Sequence, residues 1–346
     1  MTIYEGRRAA AIENQHLRVT VLEEGGHIAE ILDKETGVNP LWTPPWRSIE
    51  HSAYGPAVYA EYGMGGEGSL LAGIMGHNLC LDIFGGPSAE EAAAGLPVHG
   101  EGAVIRYAIQ ESAGTLTQRA HLPVAQIDFE RQVELHGRAV RIRETVHSLA
   151  AYDRPIGWTQ HVTLGPPFLE KGATQFRASA TRSKVFEGKF GDHDYLRAGA
   201  EFAWPEGPRC DGGVEDMRVF NDAAASSAFT THLMDPGRED AFFAAFAPAS
   251  QLAFGYVWKQ ADFPWLGIWE ENHSRKHAPW NGKSLTRGME FGVSPMPETR
   301  RAMIERGTLF GVPAYRWLPA KSRIAVEYWA MTMSARAVPE KLERPV

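Results

Sequence analysis

Cysteine is nearly absent from the chain. Cys80 and Cys210 are the only two in 346 residues, far apart and with no C-x-x-C spacing, which argues against both a disulfide framework and a structural zinc centre. Long apolar runs are missing too: nothing approaches the roughly 18 consecutive residues that a membrane helix needs. The first eight residues, Met1 to Arg8, hold no continuous apolar segment, so no signal peptide is expected and a cytoplasmic location is the default expectation. Lys and Arg form no stripe, and the net charge is −7. A nucleic-acid partner is therefore disfavoured, and a polyanionic substrate is less natural for the same reason. There is no P-loop, no H-E-x-x-H and no G-x-S-x-G. The expectation is a protein with no cofactor, no metal and no nucleophilic serine, whose partner is a small molecule and which is a monomer or a homodimer.

What is plentiful points to β structure. Glycine (35) and proline (22) are abundant, hydrophobic residues make up 44% and charged residues 22%, a composition that supports a sizeable core built from short strands and turns. Residues 17 to 33 read as a hairpin, with Leu17, Val19 and Val21 alternating against Arg18 and Thr20 before the Gly25-Gly26 turn. A second hairpin runs from Arg131 to His136, through Gly137-Arg138, into Ala139 to His147. Further strands are expected at 241–246, 252–258 and 322–331. Short helices are expected over 88–94, where Ser88 caps and Glu91 stands three residues on, and over 298–305. No repeat or long linker divides the chain, so a single domain over 1–346 is expected. The fold class that follows is all-β, with large antiparallel sheets and few helices.

Three polar segments interrupt the strand pattern. In Gly95-Leu96-Pro97-Val98-His99-Gly100, the small neighbours of His99 allow close approach of a ligand; a surface turn fits the same residues. In Trp158-Thr159-Gln160-His161-Val162-Thr163, residues 159, 161 and 163 share one strand face and Gln160 and Val162 the other; a satisfied core histidine is the competing reading. In Trp265-Leu266-Gly267-Ile268-Trp269, the two tryptophans share a face, which suits the C–H face of a pyranose, although core packing suits them as well. Glu290 lies in an apolar strand between Met289 and Phe291, where burial raises a carboxyl pKa and favours a general base. An acid and a base in one pocket suffice for mutarotation, in which the base takes the anomeric proton while the acid protonates the ring oxygen.

At these residues the chain resembles the aldose 1-epimerase, or galactose mutarotase-like, superfamily. Gly25-Gly26-His27-Ile28 is similar to its N-terminal hairpin, Leu96-Pro97-Val98-His99-Gly100 to its "LHG" element, Gln160-His161-Val162-Thr163-Leu164 to its "NHxYFNL" element, and Gly288-Met289-Glu290-Phe291-Gly292-Val293-Ser294-Pro295 to its "GxxLEPQ" element. Leu318-Pro319-Ala320-Lys321-Ser322-Arg323 resembles its entry to the final strand. The resemblance implies a β-supersandwich with the site on a concave face, His161 as general acid, Glu290 as general base and His99 on the substrate. Gly76-His77-Asn78 stands where the family has an arginine–asparagine pair, and Thr230-Thr231-His232 where it has a substrate-binding aspartate. The substrate-binding candidates are thus His99, His77, Asn78, Trp265, Trp269 and His232. Two further readings stay open: a non-catalytic sugar-binding or sensing protein, and a lyase or hydrolase of a larger glycan that would need a second carboxylate such as Glu270 or Glu271 near Glu290.

Overall fold

Alternating side chains sort this chain onto two antiparallel sheets whose inner faces meet. The computed structural model describes residues 2–63 and 65–345. The larger sheet has twelve strands and the smaller eight. The expected hairpins are present as Leu17–Leu22 with Ile28–Asp33 and as Ile127–His136 with Ala139–Ser148. The strands expected at 241–246, 252–258 and 322–331 are Asp240–Ala247, Leu252–Lys259 and Arg323–Ser334. Val19, Leu81, Val162, Ile268, Met289 and Phe291 from the large sheet interlock with Phe129, Ile142, Phe243, Tyr256 and Trp258 from the small one in one buried core.

The middle of the large sheet runs His77–Asp82, Arg154–Leu164, Leu285–Gly292, Trp265–Asn272 and Ser226–Met234 in spatial order. These strands are buried on both faces. Their outer side is covered by a second apolar cluster that includes Trp42, Leu70, Leu71, Phe84, Phe229, Trp269 and Trp280. Strands enclosed in this way show long buried runs rather than a wet alternating face.

Three α-helices lie among the described residues. α2 (Ala89–Ala93) and α3 (Arg300–Arg306) fall where expected, and α2 carries the full capping box: Ser88 accepts from the Glu91 amide and Glu91 bonds back to the Ser88 N–H. α1 (Gly65–Gly73, GGEGSLLAG) was not expected, because glycine is the weakest helix former after proline. Packing holds it: buried Arg7 donates to Gly73 O at 2.6 Å and the His51 ring contacts Ser69 O at 2.7 Å. Gly63, Gly65 and Gly68 have G-x-G-x-x-G spacing, but a single turn of 3-10 helix, Ala60–Tyr62, precedes them instead of a strand. The dinucleotide fingerprint needs that strand, so the spacing does not carry it. No helix among the described residues is long and apolar enough to cross a membrane.

A buried polar network ties the two sheets together. The Glu144 carboxylate accepts from Arg131 Nε (2.8 Å), Trp158 Nε1 (3.0 Å), Gln160 Nε2 (2.7 Å) and the Tyr328 hydroxyl (2.8 Å). Both members of its ion pair are fully enclosed. Removing one charge from such a pair strands the other in a low-dielectric interior, whereas replacing both by apolar groups need not destabilise. Glu144→Ala is therefore expected to cost about 3–5 kcal/mol in urea unfolding. The double replacement Arg131→Met with Glu144→Leu should recover most of that loss, and a double variant as unstable as the single one would contradict this account.

Candidate active site

Strand register brings the two central residues together. His161 stands directly opposite Glu290 on one neighbouring strand and Asn78 on the other, and Glu290 stands opposite Gly267. His161 and Glu290 both point to the outer face of the large sheet, away from the inter-sheet core. Cross-strand partners on one face have Cβ atoms about 5 Å apart, close enough for their side chains to meet. His161 Nε2 lies 3.2 Å from Glu290 Oε1, and both side chains are buried. His161 Nδ1 contacts the Thr163 hydroxyl at 3.1 Å, which fixes the ring from its other side.

Glycines make room for the carboxylate. A Cβ on Gly288 would lie 2.4 Å from Glu290 Oε1, and one on Gly267 would meet the Phe229 ring at 2.8 Å. The carboxylate of Glu290 leans back over bare backbone, which a side chain at 288 would occupy.

The pair forms the floor of a cavity of about 120 Å³, walled by α1 (Leu70, Leu71 and the following Ile74), by Phe84, Val98 and His99, and by Phe190, Phe229, Trp269 and Trp280, with Glu67, Arg275 and Pro297 completing it. His99 is half-buried in the cavity wall. Its Nδ1 contacts Phe84 O at 2.5 Å and its ring centroid lies 5.1 Å from that of His161. The Trp269 ring is 5.8 Å from His161. A larger depression of about 490 Å³ lies on the outer face of the small sheet, but its His121 and Asp128 are exposed and paired with each other.

Burial sets the proton inventory. Glu290 is driven well above the ordinary carboxyl value by desolvation. Desolvation and then the neighbouring His99 hold His161 well below the ordinary imidazole value, and His99 itself is lowered to about 4 by burial. Each group resists charging, so the contacting pair is best described as sharing one proton between a carboxyl and an imidazole.

The structure separates the remaining candidates. His99 and Trp269 line the cavity with His161 and Glu290. Asn78 is on the same sheet face, fully buried, with its Nδ2 unpartnered and its Oδ1 3.9 Å from Cys80 Sγ, yet it does not line the cavity. His77 and His232 point the other way, into the core, so their expected place on a substrate needs correction. His77 is bonded to the Tyr256 hydroxyl and Gln160 Oε1, both at 3.0 Å, and His232 to Ser183 and Thr230 hydroxyls at 2.7 and 2.8 Å. Trp265 also needs correction: it shares a face with Trp269 but is covered by Leu309, Phe310 and Val312 and donates to Pro313 O. Glu270 faces the core, paired with Arg287, and Glu271 accepts from the Ser274 and Arg275 amides, so neither supplies a second carboxylate to the cavity. The sequence reading missed Glu67 and Arg275. Arg275 sits over the Trp280 ring at 4.9 Å and the Phe190 and Trp269 rings at 5.5 and 5.6 Å, an arrangement that loop sequence does not announce.

Two outcomes follow from this geometry. Gly288→Ala should push the Glu290 carboxylate off His161 and cost about 1–3 kcal/mol through overpacking; an unchanged His161 ring ¹⁵N spectrum together with unchanged stability would contradict it. The second concerns pH. A carboxyl whose folded pKa is raised contributes stability that is fully present below its unfolded value and is lost as pH rises through the folded value. Glu290→Gln, which keeps the shape without the titration, should therefore gain Tm relative to wild type as pH rises from about 5 to about 9, and a difference that stays flat over that range would refute the assignment.

No protein-family model matches the chain, and no curated protein matches it in sequence. Solved structures do match it. A provisionally assigned aldose 1-epimerase from Klebsiella pneumoniae aligns over 97% of this chain and 82% of its own, with TM-score 0.65 and 12% identity. A second provisionally assigned aldose 1-epimerase, from Escherichia coli K12, aligns over 95% and 100%, with TM-score 0.64 and 11% identity. A galactose mutarotase-like protein from Clostridium acetobutylicum aligns over 96% and 97%, with TM-score 0.61 and 12% identity. The all-β sandwich expected from the sequence is the one found, and this chain has the fold of the galactose mutarotase-like proteins.

Proposed function

We propose that this protein is an isomerase of the aldose 1-epimerase type, interconverting the anomers of a sugar with Glu290 as general base and His161 as general acid. The observation that carries the reading is the 3.2 Å contact between His161 Nε2 and Glu290 Oε1 at the floor of a mostly apolar cavity. Two groups that each resist charging and together hold one proton can pass it across a substrate without recruiting water.

With the shared proton on His161, the Glu290 carboxylate takes the proton from O1 while His161 Nε2 delivers its own to the ring oxygen. The C1–ring oxygen bond breaks and C1=O1 forms. Rotation about C1–C2 presents the other carbonyl face, and the two proton transfers run in reverse as the ring closes. No bond to the protein forms, and no oxidant or cofactor enters the balance. His99 supplies a second imidazole above the substrate, and Trp269 offers a flat surface to a pyranose C–H face. The names of the structural neighbours support the same substrate class.

The test is anomeric exchange, measured by NMR with a panel of reducing sugars. Glu290→Gln and His161→Gln should each lower the exchange rate by about 10²–10⁴-fold while leaving sugar binding detectable. Wild-type kcat/KM should fall at low pH, as His161, held well below 6.5, protonates and puts a second proton on the pair. It should fall at high pH as Glu290, held well above 4.5, releases the last one. Exchange unaffected by Glu290→Gln would sink the isomerase reading. Binding that survives both substitutions, with no exchange by wild type on any sugar, would identify a non-catalytic sugar-binding protein instead.

A further inference from the structure

An imidazole has two ring nitrogens, and where one holds its proton decides what the other can do. In His161, Nε2 faces Glu290 Oε1 at 3.2 Å and Nδ1 faces the Thr163 hydroxyl at 3.1 Å. Thr163 is buried but does not line the cavity. Its backbone is held on both sides: its amide donates to Gly76 O at 3.1 Å and its carbonyl accepts from the Trp42 amide at 2.8 Å. Burial favours a neutral carboxyl beside a neutral imidazole, and two arrangements of protons satisfy that. In one, the ring proton is on Nε2 and Thr163 donates to Nδ1. The carboxyl proton of Glu290 then has no acceptor among the described residues, because His161 is the one polar side chain there in contact with the carboxyl. In the other, the ring proton is on Nδ1, the Thr163 oxygen accepts it, and the bare Nε2 accepts the carboxyl proton. The donor left over is then the Thr163 O–H. A carboxyl O–H is the stronger donor of the two, so stranding it costs more than stranding an alcohol.

We infer that Thr163 is a positioning residue: its oxygen accepts from His161 Nδ1–H and so keeps Nε2 free for the proton that Glu290 holds. When that proton moves, the O–H bond of the carboxyl breaks, an N–H bond forms at Nε2, and the ring becomes an imidazolium. Its Nδ1–H is then already bonded to an oxygen, and a hydrogen bond from a charged donor is stronger than one from a neutral donor. Thr163 thus lowers the cost of the ion pair from which ring opening starts in the function proposed above, on which the kinetic part of this inference rests.

The experiment uses the full chain with ¹⁵N-labelled histidine near neutral pH, the His161 ring being assigned by the signals lost in His161→Gln. In long-range ¹H–¹⁵N correlation, Nδ1 should resonate as a protonated nitrogen and Nε2 as an acceptor. A wild-type ring protonated on Nε2 and bare at Nδ1 overturns the inference before any further variant is made. Thr163→Val removes the hydroxyl with little change of shape and should shift the ring proton toward Nε2, whereas Thr163→Ser should keep the wild-type pattern. A Val variant with the wild-type ring spectrum also overturns it. Anomeric exchange is then followed on the same samples with a panel of reducing sugars. Thr163→Val should lower kcat about 10- to 100-fold, the worth of one hydrogen bond to a charged group. Sugar affinity should hold, because Thr163 lies outside the cavity lining, and Thr163→Ser should recover most of the rate. A Val variant as fast as wild type, or a Ser variant as slow as Val, overturns the positioning role. The expected ring pattern with no exchange by wild type on any sugar upholds the proton assignment and sinks the isomerase reading, so the two fail separately.

Discussion

The Glu144 carboxylate is the point on which the architecture turns. It lies between the sheets with four donors on its two oxygens, one of them Gln160 Nε2 at 2.7 Å. Gln160 immediately precedes His161, and the two point to opposite faces of one strand. The network therefore pins the His161 strand from the core side. His77, bonded to Gln160 Oε1 at 3.0 Å, does the same for the adjoining strand. A slip of one residue in either ladder would turn His161 into the core and break the network together, so a single constraint fixes both the sandwich and the orientation of the site.

Above that anchored strand, the environment on the outer face controls protonation. Ten apolar side chains, two of them from α1, line the cavity around the buried pair, and burial dominates the shifts of both Glu290 and His161. The same burial strengthens the contact between them, since opposite partial charges attract more in a medium of low dielectric. α1 contributes to this lining despite its glycines, because its C-terminal end is tied down by Arg7 and His51. Gly73 is needed there: a Cβ would lie 2.7 Å from the His51 ring and 2.8 Å from Arg7 Nη1. The residues that weaken the helix are in part the ones that let it dock.

Period-two patterning made most of this legible in the sequence. It placed His161 with Thr159 and Thr163, set Gln160 and Val162 opposite, and marked Glu290 as a carboxylate among apolar neighbours. The same rule, applied further, argues against His77, since Leu79 and Leu81 share its face and both belong to the inter-sheet core. It argues against His232 too, which shares a face with core Met234. Trp265 failed for another reason. Its face was read correctly, but four residues of strand carry it about 13 Å from Trp269, beyond the cavity and under the 308–313 hairpin. Patterning reports direction and not distance. α1 and Arg275 were illegible because each depends on tertiary packing that overrides local preference: the one on buried Arg7, the other on three aromatic rings from separate segments.

The proton preference of the buried pair also bears on how a ring-opening reaction would run there. Burial favours a neutral carboxyl beside a neutral imidazole, yet ring opening starts from the opposite arrangement, with the proton on His161 and Glu290 ionised. Each forward transfer therefore moves the pair toward the distribution its surroundings prefer, and the open-chain sugar meets a neutral site. Ring closure must then draw the proton back from Glu290 to the anomeric oxygen as His161 recovers the one it gave. The energetic cost falls on the closed-ring complex, where charge separation in the cavity is unfavourable, and because the neutral pair is the populated ground state that cost counts in the barrier. A site with more polar walls would lower that cost. In the proposed isomerase, substrate polar groups that stabilise the ion pair would have to offset that cost.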